Sequence, residues 1–236
     1  MDIVYNFNRA ITNGVTKPAL ITKKEGKQYI IKFLHADCNG KVLFNELVAY
    51  KLAKLLNVPT PECELLELNK NIIDNNVYFQ EIHAQPCICF ASEYLKGVTA
   101  ISPPLLQTSQ NTHDIPSIIL FDQIIMNEDR SVNPGNLLYS AKDKKIVAID
   151  HSHIFRNGMI WDAGLLHQMA QNCPIIIKNA DGDLYRYLAK YVRGHSPFAS
   201  FLKQVNEVRD TDLNEIISDI PNNWGISEIE KKVLSN

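Results

Sequence analysis

Cysteine, glycine and long apolar runs are scarce or missing from this 236-residue chain, and each shortage removes a class of protein. Five cysteines (Cys38, Cys63, Cys87, Cys89 and Cys173) are an odd number at irregular spacing, so they spell out neither a disulfide framework nor a zinc site. Cys87 and Cys89 stand one residue apart in an apolar setting, where a strand would put both on one face. Buried thiols are the expectation for the set. No apolar run approaches the length of a membrane helix, and Met1-Asp2-Ile3-Val4 has no signal-peptide character. No membrane insertion is therefore expected, and a cytoplasmic location is the default. The glycines form no GxGxxG and no P-loop pattern, which removes both common nucleotide fingerprints. Charge of one sign is also lacking: the formal total is −2, with no basic stripe beside a row of aromatics, so no direct nucleic-acid binding is expected. There is no internal repeat and no low-complexity tail.

What is present describes a folded protein. An apolar fraction of 45% is enough for a sizeable core, in one large domain or two lobes sharing a cleft. Ala19 to Leu34 reads as a hairpin turning at Gly26. Residues 41–56 carry a helical pattern, stopped by Asn57, Pro59 and Pro61. Residues 63–68, 76–82 and 88–94 read as strands, the first two separated by turn-forming residues 69–71 and 74–76. The stretch from Gly97 to Thr112, rich in Pro, Ser and Thr, is the expected lobe boundary, dividing 1–96 from 97–236. Beyond it, 118–126 fits a buried helix, and 137–139 and 146–149 fit two short strands. Helices are predicted near 160–171, 183–193, 197–208, 211–219 and 226–234. The expected class is α+β, with a small sheet-rich N-terminal lobe and a mainly helical C-terminal lobe.

Chemistry concentrates in the polar run Asn127-Glu128-Asp129-Arg130-Ser131-Val132-Asn133-Pro134-Gly135-Asn136 and in Asp150, which follows Ile146-Val147-Ala148-Ile149. An acid leaving a helix into a loop can face a cleft and accept a proton from a hydroxyl, and Asp129 has that position. Arg130 is suited to fixing the loop by pairing with a carboxylate or a phosphate. Asn136 precedes one strand of a hairpin and Asp150 follows the other, so the two would be neighbours, an amide oxygen and a carboxylate fit to hold magnesium on phosphates. Asn133 is the competing amide, and either could be a plain turn former. Lys32 lies in an apolar strand, where burial demands a partner. Glu46, the only acid of the next helix, can supply it and hold Lys32 against phosphate oxygens; Lys27, in the turn, is the weaker choice. Thr16 and Lys17, in a loop with one glycine, are possible phosphate contacts. His151 and His153 lack a third soft ligand for zinc, and His151 is expected to shape the loop after Asp150. His167 is expected in the core or lining the cleft, and Asp162 at a helix N-terminus.

Together, Asn127-x-Asp129-Arg130, Asn136-Leu137-Leu138 and Ile149-Asp150-His151-Ser152-His153-Ile154-Phe155 resemble the catalytic segment of HipA-like kinases, distant relatives of phosphatidylinositol kinases and of eukaryotic protein kinases. Tyr29-Ile30-Ile31-Lys32-Phe33 with Asn45-Glu46-Leu47 is similar to that group's nucleotide lysine and its paired helix. The resemblance covers roughly 10–170 and is specific around 121–155. It implies a two-lobed protein-kinase-like fold that uses ATP and Mg2+, with Asp129 as catalytic aspartate, Asn136 and Asp150 as metal ligands and Lys32 on the nucleotide. Glu93-Tyr94 would then be the hinge that holds adenine by its backbone. The step from Asp129 to Asn136 is longer than in many relatives, which leaves Asn133 open as the ligand. The implied activity is phosphorylation of a protein serine or threonine, with a toxin role and an antitoxin or regulatory protein as partner. A small-molecule or lipid-headgroup kinase and a non-catalytic nucleotide-binding module are the alternatives.

Overall fold

Short polar turns punctuate apolar runs in the first hundred residues, and there the chain makes most of its strands. In the computed structural model, which describes residues 2–12, 14–156, 158–172 and 180–234, these are β1 (Asp2–Ile3), β2 (Asn6–Ala10), β3 (Ala19–Thr22), β4 (Gln28–Lys32), β5 (Cys63–Leu68) and β6 (Cys87–Glu93). They form one sheet in the order β1-β5-β6-β4-β3-β2, antiparallel except for β1 on β5. Gly26, at φ 84°, supplies the left-handed corner of the β3–β4 turn, its N–H donating to the Lys23 carbonyl at 2.9 Å.

Helix α1 (Gly40–Leu55) follows β4. Asn39 caps it, accepting from the N–H groups of Lys41 (3.0 Å) and Val42 (3.3 Å). Residues 42–49 are all buried, as befits a helix wrapped on every side. Gly40 is required by close approach: a Cβ there would sit 1.7 Å from the Trp224 carbonyl oxygen. One face of the sheet carries Ile21, Ile31, Phe33, Leu66, Leu68 and Cys89, covered by two short helices, α2 (Lys70–Asp74) and α3 (Val77–Glu81). On the other face Phe90 packs with Leu43, Phe44 and Leu47 of α1.

The strand expected over 76–82 is therefore a helix. Asn69 and Asn75 cap α2 instead of turning a hairpin, Asn69 accepting from the Ile72 N–H at 3.0 Å. Helical spacing lets Ile73 and Phe79 bury together, with Phe79 edge-on to Phe33 at 5.1 Å.

Residues 94–96 lead to a second sheet of β7 (Gly97–Thr99), β8 (Leu137–Ser140) and β9 (Lys145–Ala148), in that order. The expected break at 97–112 thus holds a strand and a helix, α4 (Pro103–Thr108). Then come α5 (Ile115–Ile124), α6 (Asp129–Val132), α7 (Ala163–Gln171), α8 (Asp183–Ala189), α9 (Ala199–Glu207), α10 (Asp210–Ser218) and α11 (Glu228–Leu234). Their core gathers Ile118, Phe121, Leu137, Ile146, Leu184, Leu188 and Phe201. Among the described residues no helix is long and apolar enough to cross a membrane. Cys38, Cys63, Cys87 and Cys89 are free thiols; Cys63 is only partly buried, and Cys87 and Cys89 bring their sulfurs to 3.9 Å. Cys173 lies outside the described residues.

Candidate active site

The two sheets and α1 meet around Lys32. As the last residue of β4 it alternates away from Ile31, toward α1, and is buried. Its ammonium donates to Glu46 Oε1 and, at 2.7 Å, to Asp150 Oδ1. Glu46 is also buried, and its second oxygen accepts the His151 N–H at 3.0 Å. Asp150 leaves β9 in the left-handed region, φ 54°, a conformation that Asp tolerates better than most residues. Its Oδ1 also accepts the Ser152 hydroxyl at 2.7 Å.

One ammonium serving two carboxylates leaves an excess negative charge. Burial pushes Glu46 up to about 7, with the Asp150 charge adding to the rise and Lys32 and the His151 N–H opposing it. Burial also works against ionised Asp150, but the Lys32 ammonium and the Ser152 hydroxyl outweigh it and hold that carboxyl well below the usual range. Burial lowers Lys32, and the two carboxylates more than reverse this, keeping it protonated. The side chain of Asp150 remains 35% exposed, so a cation can reach it.

Asp129 opens the four-residue helix α6 rather than lying in an irregular loop, its N–H held by the Asn127 side-chain oxygen at 3.2 Å. Its Oδ2 accepts from the Asn136 amide at 2.6 Å. Asn136 ends a 3-10 turn, Pro134–Asn136, and is buried, whereas Asn133 is exposed. The Ile149 N–H donates to the Asn136 carbonyl at 3.1 Å, extending the β8–β9 pairing by one step. Asn136 and Asp150 therefore flank the mouth of that hairpin.

Arg130 holds this arrangement from beneath. It is completely buried and donates from Nε to Asp122 Oδ2 at 2.7 Å, from Nη1 to the carbonyls of Asn136 and Ile149 (the latter at 3.2 Å), and from Nη2 to His151 Nε2 at 3.0 Å. A guanidinium only donates, so His151 Nε2 accepts. Burial, then the Arg130 charge, keeps that imidazole well below its ordinary pKa and neutral. Asp122 takes two more donors, the Asn127 amide at 3.2 Å and the Tyr185 hydroxyl at 2.9 Å.

Sequence reasoning missed Asp122 and Tyr185, and it gave Asn45 no role beyond its place beside Glu46. Asp122 had a signal, an acid inside the apolar run of α5, the same reasoning that singled out Lys32. Tyr185 had none, because its partner is 63 positions away. Asn45 is buried beside Glu46 and donates to the carbonyls of Ser152 (2.7 Å) and Gly158 (2.8 Å), while accepting from Trp161 Nε1 (3.1 Å). It ties the segment after Asp150 to α1. His167 is exposed on α7, bonded to Gln171 at 3.0 Å, and not in the core or cleft. Asp162 caps α7 by accepting the Leu165 N–H at 2.8 Å.

The loop joining β2 to β3 is closed by the Ile11 N–H on the Pro18 carbonyl at 2.8 Å; its Asn13 lies outside the described residues. The Thr16 carbonyl accepts from His35 Nε2 at 2.9 Å, and Lys17 pairs with Asp37 at 2.7 Å. At the other end, Glu93 donates its N–H to the Glu62 carbonyl (2.7 Å) and Tyr94 to the Gln28 carbonyl (2.9 Å), so neither N–H is open to a base. Leu95, the next residue, enters no backbone hydrogen bond among the described residues.

Oxygen donors suited to a hard cation are present. Asn136 Oδ1 takes no hydrogen bond among the described residues, Asp150 keeps a partly exposed carboxylate, and the Ile149–Asn136 backbone bond makes the two residues neighbours along the hairpin. Among the described residues no three His, Cys, Asp or Glu side chains form a metal cage. Such a pair would need further oxygens from phosphate and water, the usual circumstance of magnesium.

A family model for HipA-like kinase matches residues 4–185. In three dimensions the chain is similar to the Helicobacter pylori proinflammatory kinase CtkA, at 16% identity and a TM-score of 0.63, covering 100% of this chain and 92% of that one. It is also similar to the Golgi casein kinase solved with Mn/ADP bound, at 11% identity and a TM-score of 0.54, covering 100% of this chain and 70% of that one. A comparison with curated proteins finds no match. The solved structures speak for the fold alone, and the fold is two-lobed and protein-kinase-like.

Proposed function

The chain belongs to the HipA-like kinase family, an ATP-dependent kinase by that membership, and from this premise we propose that it transfers the γ-phosphoryl group of magnesium-bound ATP to a serine or threonine hydroxyl of a protein. The observation that carries the proposal is the joining of Lys32, Glu46 and Asp150 with Asp129 and Asn136 through the Arg130 anchor.

Each residue has a part that its surroundings support. Lys32, protonated and oriented by Glu46, would meet the α- and β-phosphates. Asp150 Oδ2 and Asn136 Oδ1 would hold Mg2+, which when bound neutralises charge on the phosphates. Asp129, steadied by the Asn136 amide, would orient the acceptor hydroxyl and take its proton as the new P–O bond forms. Catalysis of this type is positioning and charge stabilisation, which explains why so much of the site is fixed by buried hydrogen bonds. Thr16 would lie over the phosphates. For adenine, the spent N–H groups of Glu93 and Tyr94 leave the Tyr94 carbonyl and the Leu95 N–H as the hinge contacts. A toxin role, with a regulatory protein as partner, belongs to the same proposal and rests on the family alone.

The test is transfer of labelled γ-phosphate to the protein itself and to a cell extract, with and without a chelator of divalent cations. Label on serine or threonine that disappears with the chelator is expected. Label appearing only in small molecules or lipid would overturn the protein acceptor.

A further inference from the structure

In many protein kinases the activation loop past the metal-binding aspartate is ordered by phosphorylation, through new pairs between arginine and the phosphate. The residues after Asp150 offer little for that chemistry. From His151 to Asn172 the chain has one hydroxyl side chain, Ser152. Ser152 is buried and donates to Asp150 Oδ1 at 2.7 Å, so a phosphate there would set like charges together instead of ordering the chain. The segment nevertheless takes a defined and costly path. Phe155 and Arg156 lie in the left-handed region, at φ 56° and 65°, which residues other than glycine keep only where their surroundings impose it.

Two sets of contacts impose it. On one side the Phe155 N–H donates to the Ile125 carbonyl and the Arg156 N–H to the Met126 carbonyl, both at 3.0 Å, and Arg156 Nε donates to Glu128 at 2.9 Å. Glu128 immediately precedes Asp129, so Phe155 and Arg156 border the residue that would orient the acceptor. On the other side stands α1. Asn45 has no exposed surface; its amide nitrogen donates to the carbonyls of Ser152 (2.7 Å) and Gly158 (2.8 Å), and its oxygen accepts from Trp161 Nε1 at 3.1 Å. The whole polar end of Asn45 is thus spent on residues more than a hundred positions away, on both sides of Phe155 and Arg156. One turn earlier, Lys41 donates to the Trp161 carbonyl, lies 4.6 Å from the centre of the Trp161 ring and pairs with Glu230 of α11 at 2.9 Å. These bonds do for the segment what an arginine–phosphate pair does in a switched kinase.

We propose that Asn45 is a positioning residue for phosphoryl transfer, keeping Phe155 and Arg156 set beside Asp129 with no phosphate on the segment. The role rests on the protein-kinase reading, and its test tells the two apart. Arg156 is the only Lys or Arg between Lys145 and Lys178, so a tryptic cut after it yields fragments 1–156 and 157–236 and reports how firmly this stretch is held. Brief trypsin digestion, ATP affinity by calorimetric titration and γ-phosphate transfer to a serine and threonine peptide library are compared for wild type, Asn45→Leu and Trp161→Phe. All are first freed of phosphate by a phosphatase, with untreated wild type alongside. Both wild-type samples should be cut after Arg156 equally slowly. Asn45→Leu keeps the volume and strands two carbonyls; it should be cut about tenfold faster or more and lose kcat/KM for the library by a similar factor, with ATP affinity within about twofold. Trp161→Phe deletes one of the three bonds and should shift both readings a fewfold in the same direction, which carries the test if Asn45→Leu does not fold. A wild type that is cut faster once dephosphorylated overturns the proposal, as do variants cut and transferring like wild type. So does ATP affinity that falls in step with transfer, which would make Asn45 a support for Glu46 and the fold alone. Faster cutting of the variants, with no transfer to the library by any of the proteins, would contradict the protein-kinase reading and still support the anchor.

Discussion

At the scale of single residues, the site is governed by one cation shared between two anions. Lys32 is shared between Glu46, which burial raises to about 7, and the ionised Asp150, whose more exposed carboxylate is the one a cation can reach. Arg130 differs: it is spent entirely on the protein, and its loss would strand Asp122 in the core. The amides divide by burial. Asn136 is held on Asp129 within the hairpin mouth, while the exposed Asn133 side chain makes no hydrogen bond among the described residues. We predict that Asn136→Ala raises the magnesium concentration needed for half-maximal transfer by roughly tenfold or more, the loss of one ligand-grade oxygen contact. Asn133→Ala should stay within a fewfold in the same titration; the reverse pattern would move the ligand to Asn133. Lys32, Glu46, Asp129, Asn136 and Asp150 could all be picked from the sequence, since a charge in an apolar run or at its end stands out locally. The Asp122–Tyr185 bond could not, because it exists only when α5 and α8 meet.

At the scale of elements, periodicity and punctuation made β3 to β6, α1, the β8–β9 hairpin and the C-terminal helices legible. The short edge strands β1 and β2 were not, since their residues are largely exposed and pair with distant partners. Residues 76–82 alternate well enough to suggest a strand, but burying Phe79 with Ile73 against Phe33 decides for α3. Phe79→Ala should cost about 3–5 kcal/mol of unfolding free energy, the usual range for emptying a buried phenyl site, measured by urea denaturation. A cost under about 1 kcal/mol would show that α3 is not seated on the sheet as described. Helix α1 carries a second duty beyond its core packing. Asn45 and Glu46, adjacent on it, hold His151, Ser152 and Gly158 on one side and Lys32 on the other, so any tilt of the helix reaches both.

At the scale of the whole molecule, two sheets belonging to different parts of the chain contribute opposite walls of one site. The larger sheet brings Lys32, and the β8–β9 hairpin brings Asn136 and Asp150, with Arg130 locking the hairpin to α5 and α6. Nucleotide binding and phosphoryl transfer should therefore be separable, because Asp129 touches Asn136 but not Lys32. The most direct measurement is γ-phosphate transfer and ATP affinity for Asp129→Asn, which keeps the side chain's size and removes its charge and basicity. We predict unchanged ATP affinity with transfer reduced at least ~10²-fold, the scale of a positioned proton acceptor. Transfer within a fewfold of wild type, at the same affinity, would contradict the catalytic assignment of Asp129 and with it the account of this site.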